Sequence, residues 1–181
     1  ARVDSDDWSV PERFKKQAQF LHSKSNISVV GGELKEHYGS VTRDGISVIR
    51  RSPIDNISIQ NMAKRRNPMN HPTVMFRKTD VLACNSYEFC PLFEDYYLWV
   101  KMLINGYVLS NLPEVLVETD VDSNYFRRRG GVTYVRNEIR LVRDLMKIGF
   151  LSPIEASAFI FGRLPMRCAP VFLRQHIYRT L

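Results

Sequence analysis

Apolar positions recur along this chain first at mixed periods and then at a purely helical one, and the change marks its organisation. Ser9-Val10-Pro11-Glu12 has the S-x-x-E spacing of a capping box with proline in the first turn, and Phe14, Ala18 and Leu21 follow at helical spacing. This predicts a helix over residues 11–22 with those three as its apolar stripe. Ile27-Ser28-Val29-Val30, closed by Gly31-Gly32, reads as a short strand, and residues 46–49 as another. A helix over residues 56–65 stops at Asn67-Pro68-Met69-Asn70-His71-Pro72, whose two prolines forbid continuation, and residues 73–77 read as a strand leaving that rigid loop. From residue 94 to 104 nearly every position is apolar or aromatic, with Asn105-Gly106 as the stop, which is the pattern of a buried helix. Strands over residues 107–110 and 115–119 follow, and Gly130-Gly131 then separates this mixed portion from helices expected over residues 134–148, 153–162 and 170–179. The expected fold class is α/β with a helical tail, divided into residues 1–122 and a basic helical C-terminal extension over residues 123–181.

Composition narrows the class. At 181 residues, with 44% hydrophobic and 25% charged, the chain has the size and make-up of one globular domain. No run approaches the ~18 apolar residues of a spanning helix, and Ala1-Arg2-Val3-Asp4 carries no apolar signal stretch. Cys84, Cys90 and Cys168 are odd in number and lack C-x-x-C spacing, so neither a disulfide framework nor a zinc site is indicated and a reducing cytoplasm fits. The formal charge of +7 is uneven, because residues 123–181 hold 11 Lys/Arg against 3 Asp/Glu and the remainder 15 against 16. Such asymmetry points either to an anionic partner for the tail or to a solvated helical surface.

Three segments could carry chemistry. Asp4-Ser5-Asp6-Asp7 places three carboxylates in four residues; in an extended segment Asp4 and Asp6 face one way and can share a hard divalent cation, Mn²⁺ or Mg²⁺, which in turn holds phosphate oxygens. The same residues also fit an acidic turn that only complements the next helix's dipole. Glu94-Asp95 opens the buried helix, where a rigidly held carboxylate suits a general base and equally suits ordinary helix-start chemistry. Tyr125-Phe126-Arg127-Arg128-Arg129-Gly130-Gly131 joins guanidiniums to flexible backbone, and a diphosphate, single-stranded nucleic acid or solvent alone could occupy it. His71, between prolines, could contact an acceptor or pack within its loop.

Five segments in order resemble glycosyltransferase family 2, specifically the bacterial GT-A enzymes of O-antigen, capsule and exopolysaccharide assembly. They are R-V-D-S-D-D-W-S-V-P-E-R-F-K-K-Q (residues 2–17), V-V-G-G (29–32), R-N-P-M-N-H-P-T-V-M-F-R-K (66–78), F-E-D-Y-Y-L-W-V-K-M (93–102) and F-R-R-R-G-G (126–131). The resemblance implies the C-terminal portion of a Rossmann-like GT-A domain beginning at the D-x-D motif. It implies that Asp4 and Asp6 ligate Mn²⁺ or Mg²⁺ with Asp7 in support and that Asp95 is the catalytic base; beside these, Glu94, Asn70 and His71 are expected as acceptor or active-site neighbours and Arg127, Arg128 and Arg129 as diphosphate-binding residues. Many relatives carry a carboxylate where this chain has Tyr97. The implied reaction is inverting transfer of a hexose or N-acetylhexosamine from a UDP-sugar to a polyprenyl-diphosphate-linked saccharide. The expected location is cytoplasmic, peripheral at the inner face of the cytoplasmic membrane, with basic residues such as Arg163, Arg167, Arg174 and Arg179 either on an interfacial helix or packed on the catalytic domain. Family members place their nucleotide-binding βαβ units ahead of D-x-D, so the expectation is a fragment that lacks the donor half and is inactive by itself. The rival functions are a nucleic-acid-binding module in the basic third and a non-catalytic scaffold; under the leading reading no nucleic-acid partner is expected.

Overall fold

The computed structural model describes residues 1–38, 45–121 and 129–170. Its elements run β1 (Asp7–Ser9), α1 (Arg13–Ser23), β2 (Ile27–Tyr38), β3 (Ile46–Arg50), α2 (Asn56–Ala63), a 3₁₀ turn (His71–Thr73), β4 (Met75–Phe76), α3 (Lys78–Ala83), α4 (Glu94–Ile104), β5 (Val108–Val121), α5 (Val132–Lys147) and α6 (Pro153–Cys168). This is the expected α/β mixture. The helix predicted over residues 170–179 falls, after its first residue, outside the described residues.

The sheet is built around β2, which runs parallel to β5 and antiparallel to β3 over residues 34–38 and to β4 at Val29 and Val30, while β1 adds antiparallel to β5. Gly31-Gly32 do not close the strand; β2 continues through them to Tyr38. Their role is steric. A Cβ on Gly31 would lie 2.3 Å from Asn111 Oδ1, and one on Gly32 would lie 2.4 Å from Leu116 Cδ1, so only glycine lets β5 approach. The two strands expected over residues 107–110 and 115–119 are likewise one. Register shifts after Gly32 and Glu33 carry the pairing from Leu112 to Val115, so Pro113 sits at an irregularity where no ladder donor is needed. The strand expected over residues 73–77 shrinks to Met75–Phe76 behind the 3₁₀ turn, and the short α3 went unpredicted.

Helix α1 corrects two further expectations. Ser9 belongs to β1, opposite Val117, and makes no cap; the helix begins at Arg13 with Glu12 at its N-cap position. A capping box does form at Ser152 and Glu155, where α6 starts. The buried face of α1 is Arg13, Gln17 and Leu21, whereas Phe14 and Ala18 are exposed.

Helix α4 follows its prediction residue for residue. Leu98, Trp99, Val100 and Met102 are fully buried, in one cluster with Val29 and Leu109 of the sheet, Ile59 of α2, Leu141 and Leu145 of α5 and Phe159 of α6. The first two tail helices therefore share the core of the mixed portion. Cys84 and Cys90 are free and buried. Among the described residues no helix is long and apolar enough to cross a membrane.

Candidate active site

A cleft of about 1170 Å³ opens between β1, the strand pair β2–β3, the loop after α2 and the start of α4. Asp4, Asp6, Asp7, Asn70, His71, Asp95 and Arg129 all line it, so residues more than a hundred positions apart in sequence share one space. Glu94 is exposed and is not part of the lining, because consecutive helical residues point about 100° apart and Asp95 takes the inward direction. Arg127 and Arg128 lie outside the described residues.

The acidic segment is a turn rather than the expected extended stretch: the Asp7 N–H donates to the Asp4 carbonyl at 3.3 Å, and the strand begins only at Asp7. Strand pairing sets Asp7 opposite Thr119. Burial, and then the Asp4 and Asp6 carboxylates, raise the pKa of Asp7 against the opposing effects of the Thr119 hydrogen bond and Arg13. The segment thus holds crowded negative charge that a cation would relieve. Arg2 already ion-pairs with Asp4. Behind the turn, the buried Arg13 guanidinium donates to Gln17 Oε1 at 3.1 Å, Ser9 Oγ at 2.9 Å, the Arg2 carbonyl at 2.8 Å and the Pro72 carbonyl at 2.7 Å.

The opposite wall is the Asn67–Pro72 loop. Asn67 Nδ2 donates to Asp95 Oδ2 at 2.6 Å while its own Oδ1 accepts the Met69 N–H at 3.2 Å, so one side chain ties the loop's turn to the carboxylate. Asn70 lines the cleft, yet its amide donates to the Gly32 and Arg50 carbonyls and to Ser52 Oγ; it braces the loop against β2 and β3. His71 Nε2 lies 2.9 Å from Tyr87 Oη, and its ring meets Trp99 edge-on with centroids 6.1 Å apart. Burial lowers the His71 pKa, with Asp95 opposing, which favours the neutral imidazole. Trp99 Nε1 is buried without a hydrogen-bond partner among the described residues.

Cations complete the lining: Arg50, Arg51, Arg66, Arg129 and Arg163. Arg50 is bonded to Glu36 Oε2 at 2.7 Å. Of the two readings open for Arg163 and Arg167, an interfacial face or packing on the protein, the structure shows packing. Both pair with the buried Glu138 of α5, and Arg167 is only 5% exposed. The carboxylate attracts them because a lone charge in that interior would be costly. Among the described residues no three His, Cys, Asp or Glu side chains converge as a metal cage. Asp4 and Asp6 both line the cleft, and two carboxylates with the remaining positions left to water and phosphate oxygens is a donor set of the kind Mg²⁺ takes.

Sequence reasoning missed Arg13, Gln17, Asn67 and Tyr87. Arg13 and Gln17 stand at i, i+4, a spacing that could have marked them as one helix face; Asn67 and Tyr87 left no local signal.

No protein-family profile matches the chain. It is 32% identical, over 98% of its length, to the amylovoran biosynthesis glycosyltransferase AmsE of Erwinia amylovora, of which it covers 65%. It is 34% identical over 99% of its length to an uncharacterized glycosyltransferase of Haemophilus influenzae, covering 66% of that protein. The UDP-Gal:alpha-D-GlcNAc-diphosphoundecaprenol beta-1,3-galactosyltransferase of Escherichia coli is 31% identical over 99% of the chain, which spans 64% of it. With an α/β fold, the chain is thus similar along nearly its whole length to bacterial glycosyltransferases, a likeness consistent with a family 2-like enzyme, and it spans just under two thirds of these three relatives.

Proposed function

We propose that the protein transfers a hexose or N-acetylhexosamine from a UDP-sugar to a lipid-diphosphate-linked saccharide during surface-polysaccharide synthesis, with inversion at the anomeric carbon. The observation that carries this reading is the convergence of the Asp4–Asp6–Asp7 turn, His71 and Asp95 on one cleft rimmed with guanidiniums. The activity for which the Escherichia coli relative is named, on a UDP-sugar and a diphosphoundecaprenol-linked acceptor, supports the substrate classes, and such an acceptor's lipid would bring the protein to the inner face of the cytoplasmic membrane.

In this mechanism Asp95 accepts the proton of the acceptor hydroxyl as its oxygen attacks the anomeric carbon from the face opposite the diphosphate. The bond from that carbon to the diphosphate oxygen breaks, and the nucleoside diphosphate departs. Asn67 occupies Asp95 Oδ2 and orients the carboxylate toward the acceptor. The neutral His71, against Tyr87 and Trp99, shapes the acceptor wall. Asp4 and Asp6 would hold Mn²⁺ or Mg²⁺, which when bound neutralises charge on the leaving diphosphate. Arg129 at the cleft rim adds a cation for a phosphate group, with Arg127 and Arg128 adjoining it in sequence.

The test is nucleotide release by the full-length protein from UDP-, GDP- and dTDP-sugars with Mn²⁺, with and without polyprenyl-diphosphate sugar acceptors. Release is expected to need both metal and acceptor and to fall roughly 10²- to 10⁴-fold in Asp95→Asn. No release from any donor by folded protein, or full activity in Asp95→Asn, would overturn the reading.

A further inference from the structure

Four hydrogen bonds from one buried side chain join the two walls of the cleft. We infer that Arg13 is a positioning residue that holds the acidic turn in register with the His71–Pro72 turn. The inference rests on the reading of the cleft as the transferase site.

Arg13 is fully buried, in the first turn of α1, and its planar fork spends its donors on fixed oxygens. One terminal nitrogen, Nη2, reaches both the Arg2 carbonyl, two residues before Asp4, and the Pro72 carbonyl, next to His71. The other, Nη1, takes Ser9 Oγ just past the acidic turn. Nε takes Gln17 Oε1, and Gln17 in turn donates to the Val30 carbonyl at 2.9 Å and the Thr73 carbonyl at 2.8 Å. The Arg13–Gln17 pair therefore fastens both ends of the acidic segment and the 3₁₀ turn to the central strand. The Arg2 N–H to Val74 carbonyl bond, 2.9 Å, is the direct backbone tie alongside it. Burying a guanidinium is costly, and a helix face that served packing alone would carry an apolar side chain there. What the cation supplies is geometry: several donors aimed from one rigid plane at two turns distant in sequence. Lysine keeps the charge, but its compact ammonium has no such fork.

The experiment compares Arg13→Met, Arg13→Lys and wild type in the full-length protein by hydrogen exchange and by transfer kinetics, well below each variant's unfolding temperature. In both variants exchange is expected to quicken about tenfold or more in peptides covering residues 2–9 and 70–75, with α4 unchanged. The kcat is expected to fall about 10²-fold with little change in acceptor KM, since the reacting groups are misplaced while most acceptor contacts persist. If Arg13→Met does not fold, Arg13→Lys carries the test. Unchanged exchange in those two segments would overturn the inference, as would loosened segments with undiminished kcat. A wild type without any transferase activity would instead overturn the proposed function, while the exchange data would still report whether Arg13 holds the two turns.

Discussion

Asp95 shows how much a site residue owes to one neighbour. Its place in the first turn of α4 follows from local sequence, but the orientation of its carboxylate depends on Asn67, 28 positions earlier, whose amide reaches Oδ2 at 2.6 Å. Asn67→Ala should leave the fold intact and lower kcat roughly 10- to 10²-fold, read by steady-state kinetics beside a thermal melt; unchanged kcat would remove Asn67 from the catalytic wall. Asn70 is the opposite case. It was expected as an active-site neighbour and does line the cleft, yet its donors are committed to Gly32, Arg50 and Ser52, so it supports the loop.

At the scale of elements, strands β2 and β5 are long because two glycines permit it. Read locally, Gly31-Gly32 signals an end to a strand; in the sheet the pair is the contact surface for Asn111 and Leu116. Gly32→Ala should destabilise the protein by about 1–3 kcal/mol, the cost of overpacking a close contact, and lower the midpoint of chemical denaturation without altering the slope. An unchanged midpoint would mean that β5 can shift away at no cost. Helix α1 makes the same point about faces. Periodicity located the helix within two residues, but its apolar members Phe14 and Ala18 face outward and Arg13 and Gln17 face inward, because the surface beneath them presents the Arg2, Pro72, Thr73 and Val30 carbonyls, while Leu21 alone of the predicted stripe packs on Ile27 and Val30.

Across the molecule, the basic tail is joined to the mixed portion by core packing, and one buried carboxylate ties its two described helices to each other. Glu138 on α5 accepts from Arg163 and Arg167 on α6, and Arg163 also lines the cleft. Glu138→Ala removes the charge both guanidiniums share and should cost about 3–5 kcal/mol, the usual penalty for breaking a buried pair from one side. Equilibrium denaturation measures the loss, and limited proteolysis should show earlier cutting between α5 and α6. Wild-type stability in that variant would show that apolar packing alone holds the helices.

Helix positions and apolar runs were legible from the chain alone, because backbone periodicity acts over a few residues, and α4 is where that local chemistry met no competition. The order of motifs likewise pointed to the glycosyltransferase family that the relatives bear out. Only the tertiary structure decided that Ser9 serves Arg13 and not a helix cap, that Asp4, Asp6 and Asp7 enter the cleft from a turn, and that Asn67 meets Asp95. Each of these depends on a partner far away in sequence. A polar side chain goes inside only where such a partner exists, and no local pattern announces where the chain will bring one.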